Sequence, residues 1–220
     1  MSLKRTAKLK QKKYREVERR FLAEGRSLVE EAPVLPAYIF TEREDVKRLS
    51  TLTTPTGPVG VFDFVDVEAG ELLRSRERLV LLHGVQDPGN VGTVIRAAHA
   101  FGAGVALSKG CADLYNPKTV RATMGSIFHA PVAREVESVE FLELARSSGF
   151  VPAAAVPEDG EPPRAAMPGK SLVVVGAEGS GLPEEVESDC EARVSIPVRA
   201  PSLNAAMAAS ILLYEAYGVC

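Results

Sequence analysis

Three loops, two of which contain several glycines, carry the residue types best suited to bind a small ligand, and each follows an apolar stretch of the chain. They are HGVQDPGNVG (83–92), GAEGSGLP (176–183) and IPVRAPSLN (196–204). Glycine lets the backbone approach a ligand closely, and the second loop has glycines at 176, 179 and 181. Because ligands of open α/β sheets sit beyond the carboxyl ends of the strands, the three loops are expected to build one pocket.

The glycine spacing in these loops differs from that of the common nucleotide-binding fingerprints. Gly84, Gly89 and Gly92 do not form GxGxxG, and no GK[ST] sequence follows the glycines of the second loop. Binding of a dinucleotide or of ATP through those motifs is therefore disfavoured. The histidines of the chain lack the spacing of metal ligands, so no metal is expected.

The stretches that carry these loops alternate between strand and helix patterns, which favours an α/β domain with a largely parallel sheet covered on both faces. Strands are predicted at 79–82, 104–107, 150–155, 171–176 and 193–197. Helices are predicted at 90–102, from Asn116-Pro117 onward, at 138–147 and at 202–217. The last of these helices is apolar on nearly all sides, which predicts that it is buried all round.

Residues 1–66 form a smaller predicted unit, followed by a charged linker at 67–78 and the larger domain at 79–220. In the small unit, helices are predicted in the basic N-terminal stretch, at 27–32 and at 43–49, and strands at 38–40 and 59–65. A unit of about 66 residues has only a marginal core, so it is expected to pack against the larger domain for stability.

Charge is unevenly distributed along the chain. The first 20 residues hold nine lysines and arginines against two glutamates, although the net charge of the chain is −3. A basic arm on an acidic body is typical of a protein with a polyanionic partner, but a solvated helix face explains the charge run equally well. Cys111, Cys190 and Cys220 lack CxxC spacing, which favours reduced thiols. With no secretory signal and no apolar run near about 18 residues, a cytoplasmic protein without membrane spans is expected.

Read in order, three stretches resemble the motifs of the SpoU family of RNA ribose 2′-O-methyltransferases, within the SPOUT superfamily. They are PGNVGTVIRAAHAFGA (88–103), VVVGAEGSGLP (173–183) and IPVRAPSLNAAMAASILLYE (196–215). The stretch 113–132 also resembles the family, and KYREVERRFLAEG (13–25) resembles its L30e-like substrate-recognition domain, here in a shortened α+β form. The resemblance implies methyl transfer from S-adenosylmethionine to a ribose 2′-hydroxyl of structured RNA. It also implies a homodimer and a deep trefoil knot at the C-terminal end of the α/β domain.

The resemblance further implies which residues bind S-adenosylmethionine. Backbone groups of the motif loops would hold the cofactor in a bent shape within the knot, beside the dimer interface. The residues at these positions are Gly176, Ala177, Glu178, Gly179, Gly181, Ile196, Pro197, Ser202, Leu203 and Asn204. Backbone amides suit this task, because they offer the donors and acceptors that an adenine edge needs without ordering a side chain.

Five polar residues match the catalytic positions of the family: Asn90, Arg96, Glu178, Ser202 and Asn204. A guanidinium with a pKa above about 12 is a reluctant base, so we expect Arg96 to hold the target phosphate and ribose and to stabilise negative charge that develops on oxygen. Glu178 is expected to hydrogen-bond the surrounding loops or an arginine of the partner subunit. Ser202 would orient the hydroxyl or the cofactor, and Asn204 would lock the third loop. The simpler alternative is that Asn90 and Ser202 are helix N-caps.

Predicted RNA-binding residues are Lys4, Arg5, Lys8, Lys10, Lys12, Lys13, Arg19, Arg20, Lys118 and Arg121. Those near the N-terminus would attract phosphates regardless of sequence and in a salt-sensitive way. The other two lie one turn apart after the Asn116-Pro117 helix start. Ribosomal RNA is the expected substrate, with transfer RNA as the rival. An RNA-binding paralogue without catalysis and an α/β enzyme for small nucleotide-containing molecules remain the other hypotheses.

Overall fold

The structure, a computed structural model, describes residues 2–55 and 57–217. Its N-terminal part is a three-stranded antiparallel sheet with short helices, in which β3 lies between β1 and β2. The elements are α1 (Leu3–Ala7), a 3-10 turn (Lys8–Lys10), α2 (Lys12–Glu18), β1 (Arg20–Glu24), α3 (Arg26–Glu30), β2 (Tyr38–Phe40), α4 (Arg43–Leu49) and β3 (Val59–Asp63). No strand is predicted from the sequence at β1, which is specified by its pairing with β3 along its whole length.

The remainder of the chain is a six-stranded sheet whose neighbouring strands are all parallel, with helices on both faces. Its elements are α5 (Ala69–Ser75), β4 (Arg78–Leu82), α6 (Pro88–Ala100), β5 (Gly104–Ser108), α7 (Pro117–Ala122), a 3-10 turn (Ser126–Phe128), β6 (Val132–Val136), α8 (Ser138–Ser147), β7 (Val151–Ala155), α9 (Pro163–Ala166), β8 (Ser171–Val175), α10 (Glu184–Ser188), β9 (Ala192–Val194) and α11 (Ala205–Tyr217). The strand order is β6-β5-β4-β8-β7-β9. The predicted α/β fold with a parallel sheet is therefore confirmed.

The central strand β4 shows how the apolar runs are covered on both sides. Val80 and Leu82 belong to one core, which includes residues of α6, α7 and α11. Leu79 and Leu81 belong to a second core, shared with α5, α8 and α10. Successive side chains of a strand point to opposite faces, so a continuous apolar run serves both layers at once.

The stretch 67–78, expected to be a linker, contains the helix α5. Leu72 and Leu73 on this helix are buried and pack in the core shared with α8. The charged residues of the helix, Glu71 and Arg74, are exposed, and this composition obscures the two leucines that pack it against the sheet.

The closing helix α11 is buried on most of its surface but not on all of it. Ala209, Leu212 and Leu213 are at most 1% exposed, whereas Met207 and Tyr214 are each 56% exposed. The Tyr214 ring lies 5.8 Å from the ring of Phe101, which follows α6. The predicted burial on all sides includes packing against a partner subunit, and this chain alone leaves an apolar face of α11 uncovered.

The N-terminal sheet shares its core with the larger domain. Phe21 and Phe62 are fully or almost fully buried and belong to the same core as α6 and β5. Helix α3 contributes Leu28 and Val29 to this shared core, and the opposite face of the sheet, with residues such as Leu22 and Val61, packs on α4 and on the first helical turns of the chain. The N-terminal part therefore depends on the rest of the chain for the packing of one face of its sheet.

An ionic network fixes the seam between the two parts. Arg134 Nε donates to Asp66 at 3.0 Å, and its Nη1 donates to Glu16 at 2.8 Å. The Tyr115 hydroxyl donates to Asp66 at 2.5 Å, and the Tyr115 ring stacks on Phe64 at 3.8 Å. Burial opposes ionisation of Asp66, but the hydrogen bonds and charges of Tyr115 and Arg134 outweigh it, so the pKa of Asp66 is lowered.

Candidate active site

The second and third loops face each other across a cleft of about 600 Å³. Apolar side chains from strand ends and from α11 line its walls, among them Val175, Val194 and Leu212. All predicted cofactor-binding residues except Pro197 line this cleft: Gly176, Ala177, Glu178, Gly179, Gly181, Ile196, Ser202, Leu203 and Asn204. Sequence analysis missed the segment 155–157 after β7, which forms another part of the wall. The rule that ligands lie beyond the carboxyl ends of parallel strands is the signal that could have found it.

Gly176 allows the second loop to fold tightly back on itself. A Cβ atom on Gly176 would lie 2.2 Å from the carbonyl carbon of Gly181, which is closer than side chains can approach. The Gly181 N–H donates to the Ala177 carbonyl at 2.9 Å, and Gly179 and Gly181 have φ values of 84° and 67°. Glycine adopts such left-handed conformations without strain. The loop thus presents bare backbone to the cleft.

The first glycine loop lines a separate cavity of about 450 Å³ on the other side of the second loop. Ala177, Glu178 and Gly181 line both spaces, so the second loop is the wall between them. The expectation that the three loops build one pocket is corrected by this geometry, since they build two adjoining ones. We call the space lined by the second and third loops the glycine cleft, and the space lined by the first loop the His83 cavity.

Three polar side chains, one from each loop, meet at this wall. Asn90 Nδ2 donates to Glu178 Oε1 at 2.9 Å, and Asn204 Nδ2 donates to Asn90 Oδ1 at 3.1 Å. Asn204 Nδ2 also donates to Glu178 Oε1. We call Asn90, Glu178 and Asn204 the loop junction. Hydrogen bonds to a charged carboxylate are stronger than those between neutral groups, so the junction fixes the positions of the three loops relative to one another.

Helix capping explains part of how the junction is positioned. The N-cap of α6 is Asp87, whose carboxylate accepts from the Asn90 N–H at 3.0 Å, so the alternative in which Asn90 itself caps the helix is wrong. Asn204 Oδ1 accepts from the N–H groups of Ala206 and Met207 at 3.0 and 3.1 Å. Asn204, rather than Ser202, therefore satisfies the first amides of α11. Ser202 is exposed and lines the glycine cleft.

Arg96 lies outside both spaces. It follows Asn90 by six residues on α6, and its side chain is exposed because Val94, Ile95 and Ala98 supply the buried face of the helix. Within residues 2–55 and 57–217, no hydrogen bond or ion pair holds its guanidinium. Arg96 is therefore available to a ligand or to a second protein chain, but it does not reach the loop junction within this chain.

Most of the predicted RNA-binding cations are engaged with acidic or polar groups of the protein itself. Ion pairs join Arg5 to Glu18 at 2.6 Å, Lys12 to Glu135 at 2.8 Å, Arg20 to Asp63 at 2.7 Å, Arg19 to Asp66 at 3.6 Å and Lys118 to Asp87 at 3.0 Å. Lys10 donates to two backbone carbonyls, and Arg121 donates to Thr51 Oγ1 at 2.7 Å. The acidic body thus neutralises much of the basic arm, which a charge count along the sequence does not reveal.

Lys4, Lys8 and Lys13 are the predicted RNA-binding residues whose ammonium groups have neither an ion pair nor a hydrogen bond in the described part of the chain. The ammonium groups of Lys8 and Lys13 lie 5.1 and 4.9 Å from the centre of the Tyr14 ring, within the range of cation–π attraction. All three lysines are exposed. Lys8 and Lys13 thus form a small basic surface beside the Tyr14 ring.

Other classes of site find no support in residues 2–55 and 57–217. No group of three or more His, Cys, Asp or Glu side chains is placed to hold a metal ion there. Cys111 and Cys190 are free thiols, and burial raises the pKa of Cys190 to about 12. Cys220 lies outside the described residues. The helices described are all too short or too polar to cross a membrane.

Comparison with known proteins identifies the family. Residues 77–214 match the family model described as SpoU rRNA Methylase family. The chain is 32% identical to the 23S rRNA (guanosine(2553)-2′-O)-methyltransferase RlmP of Bacillus subtilis, over 96% of this chain and 94% of that protein. It is 37% identical to the 23S rRNA (uridine(2479)-2′-O)-methyltransferase of Streptomyces viridochromogenes over 63% of this chain, which spans about half of that relative (51%).

A solved structure gives the same result for the fold. The AdoMet-bound rRNA methyltransferase from Sinorhizobium meliloti superposes with a TM-score of 0.88 and 30% identity, over 97% of this chain and 93% of that one. The match extends over the N-terminal part as well as the parallel sheet, since so little of either chain is left out. From the matched motifs and this superposition we conclude that the chain belongs to the SpoU rRNA Methylase family.

Proposed function

We propose that this protein transfers a methyl group from S-adenosylmethionine to a ribose 2′-hydroxyl of RNA, and that its substrate is ribosomal RNA. The observation that carries the proposal is the loop junction, in which Asn90, Glu178 and Asn204 tie three separate loops together at the wall between two spaces. For transfer, the methyl donor in one space and an acceptor oxygen reaching from the other have to meet in line beside this junction. Relatives named as 23S rRNA 2′-O-methyltransferases support the choice of reaction and RNA.

The glycine cleft fits S-adenosylmethionine by its chemistry. Its apolar walls suit an adenine ring, and the bare backbone at Gly176, Gly179 and Gly181 suits close polar contacts to the rest of the cofactor. Ile196, Leu203 and the other predicted residues that line the cleft would hold it. When bound there, the cofactor supplies an electrophilic methyl group on a sulfonium.

The chain's own residues then have to position the acceptor and accommodate its charge. A 2′-hydroxyl loses its proton as it attacks the methyl carbon in line, and correct alignment removes a large part of the barrier. Arg96 is the predicted residue that holds the target phosphate and stabilises negative charge on oxygen, a role that its exposed and unpaired guanidinium permits. Ser202 is proposed to orient the hydroxyl from the cleft side.

We also propose that the protein acts as a homodimer. The support is the uncovered apolar face of α11, where Met207 and Tyr214 are each 56% exposed and Tyr214 contacts the α6 end at Phe101. Arg96 is exposed on that same helix α6, so pairing at this surface would bring it near a second subunit. In this arrangement Arg96 could complete the partner's site, which explains why it does not reach the junction of its own chain.

Two finer features of the fold belong to the proposal. We propose that the C-terminal segment forms a deep trefoil knot, supported by the way the third loop returns to Glu178 before α11 begins. We propose that residues 1–66 are a shortened L30e-like unit for RNA recognition, preceding a catalytic domain at 79–220. Lys4, Lys8 and Lys13, which have neither an ion pair nor a hydrogen bond among the described residues, are its proposed contacts to phosphate.

Transfer of tritium from labelled S-adenosylmethionine tests the function. The protein would be incubated separately with ribosomal RNA and transfer RNA from cells that lack it. We expect label in ribosomal RNA with wild-type protein, and none with Arg96→Ala although that variant still binds S-adenosylmethionine. Arg74→Ala, which removes an exposed arginine of α5 on the other face of the sheet, is the control and should be fully active. Label in transfer RNA alone would favour the rival substrate, and absence of label from every RNA would favour a non-catalytic paralogue.

A further inference from the structure

The His83 cavity is lined by polar side chains that have no role in the proposed methyl transfer. It is lined by His83, Gly84, Val85, Gln86, Asp87 and Asn90 on one side, and by the loop 177–183 on the other. Val85 is buried and Gly84 has a φ of 64°, so the floor of the cavity is partly apolar and partly bare backbone. A cavity with an apolar floor and a few polar side chains is the usual form of a site for a small organic group.

The charges around the cavity argue against a phosphate as its occupant. Asp87 and Glu178 both line it, and none of the described residues that line it is a lysine or an arginine. Asp87 is neutralised by Lys118 at 3.0 Å, but Glu178 receives only neutral donors, from Asn90 and Asn204 and from the Ala205 amide. An uncharged group that donates hydrogen bonds is therefore the better fit.

Several hydrogen-bonding groups of the cavity have no partner among the described residues. Glu178 is engaged only through Oε1, which leaves Oε2 as an acceptor. The side chains of Gln86 and Ser180 are exposed and have no hydrogen bond, so each offers both a donor and an acceptor. His83 Nδ1 lies 2.8 Å from the Ser138 hydroxyl, which orients the ring and leaves Nε2 available.

His83 has the right protonation state for such recognition at neutral pH. Burial lowers the pKa of its imidazole below the ordinary value of 6.5. A neutral ring with one nitrogen fixed by Ser138 presents a defined polarity at the other nitrogen. Together with Gln86 it gives the cavity a fixed pattern of donors and acceptors.

We infer that the His83 cavity binds the base of the nucleotide that is methylated, with His83, Gln86 and Ser180 reading its hydrogen-bonding edge. This inference rests on the proposed function. A base is planar, uncharged and carries donors and acceptors along one edge, as the cavity requires. Because Glu178 lines both spaces, a base held in the cavity places its attached ribose at the wall, next to the glycine cleft. The cavity thus selects the identity of the target base.

Four versions of one RNA test this inference. A ribosomal RNA fragment that wild-type protein methylates would be prepared with A, C, G or U at the target position, and kcat/KM would be measured for each. We expect wild-type protein to prefer one base by at least tenfold. Gln86→Ala and His83→Ala should each reduce that preference about tenfold, the effect of losing one hydrogen bond that discriminates between bases.

The controls separate a recognition role from a structural one. Gln11→Ala removes the other glutamine of the chain, which is exposed at the start of α2, and should leave the base preference intact. Affinity for S-adenosylmethionine and the melting temperature should stay unchanged in Gln86→Ala, because Gln86 is exposed. An equal rate for all four bases with wild-type protein, or an unaltered preference in both cavity variants, would overturn the inference alone. Failure of wild-type protein to methylate any RNA would instead overturn the proposed function on which it rests.

Discussion

Replacement of Asn204 by aspartate separates the two tasks that this side chain performs. Oδ1 caps α11 by accepting from two backbone amides at 3.0 and 3.1 Å, and Nδ2 donates to Asn90 and Glu178. Aspartate keeps the acceptor and is as good an N-cap as asparagine. It loses the donor and places a second carboxylate against Glu178. The cap should survive and the loop junction should not.

The structure sets the expected magnitudes. Removing the cap costs about 1 kcal/mol, and an exposed hydrogen bond to Glu178 contributes about another 1 kcal/mol. Asn204→Ala should therefore lower the free energy of unfolding by about 2 kcal/mol, or about 4–8 °C in Tm for a chain of this size. Asn204→Asp should lose only about 1 kcal/mol. Both variants release the third loop from the first two, and a displacement of about 1 Å at a reacting centre can reduce the rate about 100-fold.

Thermal unfolding, single-turnover methyl transfer and calorimetry with S-adenosylmethionine would be measured on the same preparations. Asn204→Asp should be about 1 kcal/mol more stable than Asn204→Ala, and its reaction should be about 100-fold slower than that of wild-type protein. Adding Glu178→Gln to Asn204→Asp removes the repulsion and supplies an amide donor, so the double variant should recover part of the lost rate. If Asn204→Asp reacts at the wild-type rate, the junction does not align the loops and the reasoning fails.

Three further predictions follow from the packing and charges. Gly176→Ala should weaken binding of S-adenosylmethionine at least tenfold in calorimetry, because the added Cβ would lie 2.2 Å from the Gly181 carbonyl carbon. The circular dichroism spectrum should stay unchanged. Unchanged affinity would contradict the shape assigned to the loop. Arg134→Ala should lower the free energy of unfolding by about 3 kcal/mol at pH 7, since it leaves the carboxylate of Asp66, whose side chain is 13% exposed, with only the more distant Arg19 at 3.6 Å as an ion-pair partner. The pKa of Asp66 is lowered in the folded protein, so the stabilisation by its ion pair is present above the ordinary value of 3.8 and is lost as pH falls through the folded pKa. The free energies of unfolding of Arg134→Ala and wild-type protein, measured by urea titration, should therefore converge in acid. A difference that stays constant with pH would refute the assignment. Met207→Glu should shift the protein from dimer to monomer in light scattering, whereas Glu42→Ala, an exposed change at the start of α4, should not.

The sequence predicted the parts of the fold in which local pattern and tertiary environment agree. The strand β8 is a continuous apolar run that is buried on both faces, and α8 was predicted with its observed bounds. The strand β6, with the sequence VAREV, was missed because it mixes apolar and charged residues at the edge of the sheet. The helix α5 was missed because only its two leucines reveal which face is buried.

The same distinction applies to the site. Glycine spacing located the second loop, because a fold-back of this tightness has no room for a side chain at Gly176. The division into two spaces could not be foreseen, since it depends on which side of the second loop the first loop lies. The basic arm was overestimated for a similar reason. Partners such as Glu135 are more than 100 residues away from Lys12, and only the folded chain brings them together.

The most direct test of the central claim is the chemical position of the transferred methyl group. Ribosomal RNA labelled by the protein would be hydrolysed in alkali, which cleaves the chain after every free 2′-hydroxyl but not after a 2′-O-methyl group. Our account predicts that all label appears in one alkali-resistant dinucleotide with wild-type protein, and that Arg96→Ala yields none despite normal binding of S-adenosylmethionine. Label in mononucleotides, which marks methylation of a base, or an undiminished yield from Arg96→Ala, would contradict it.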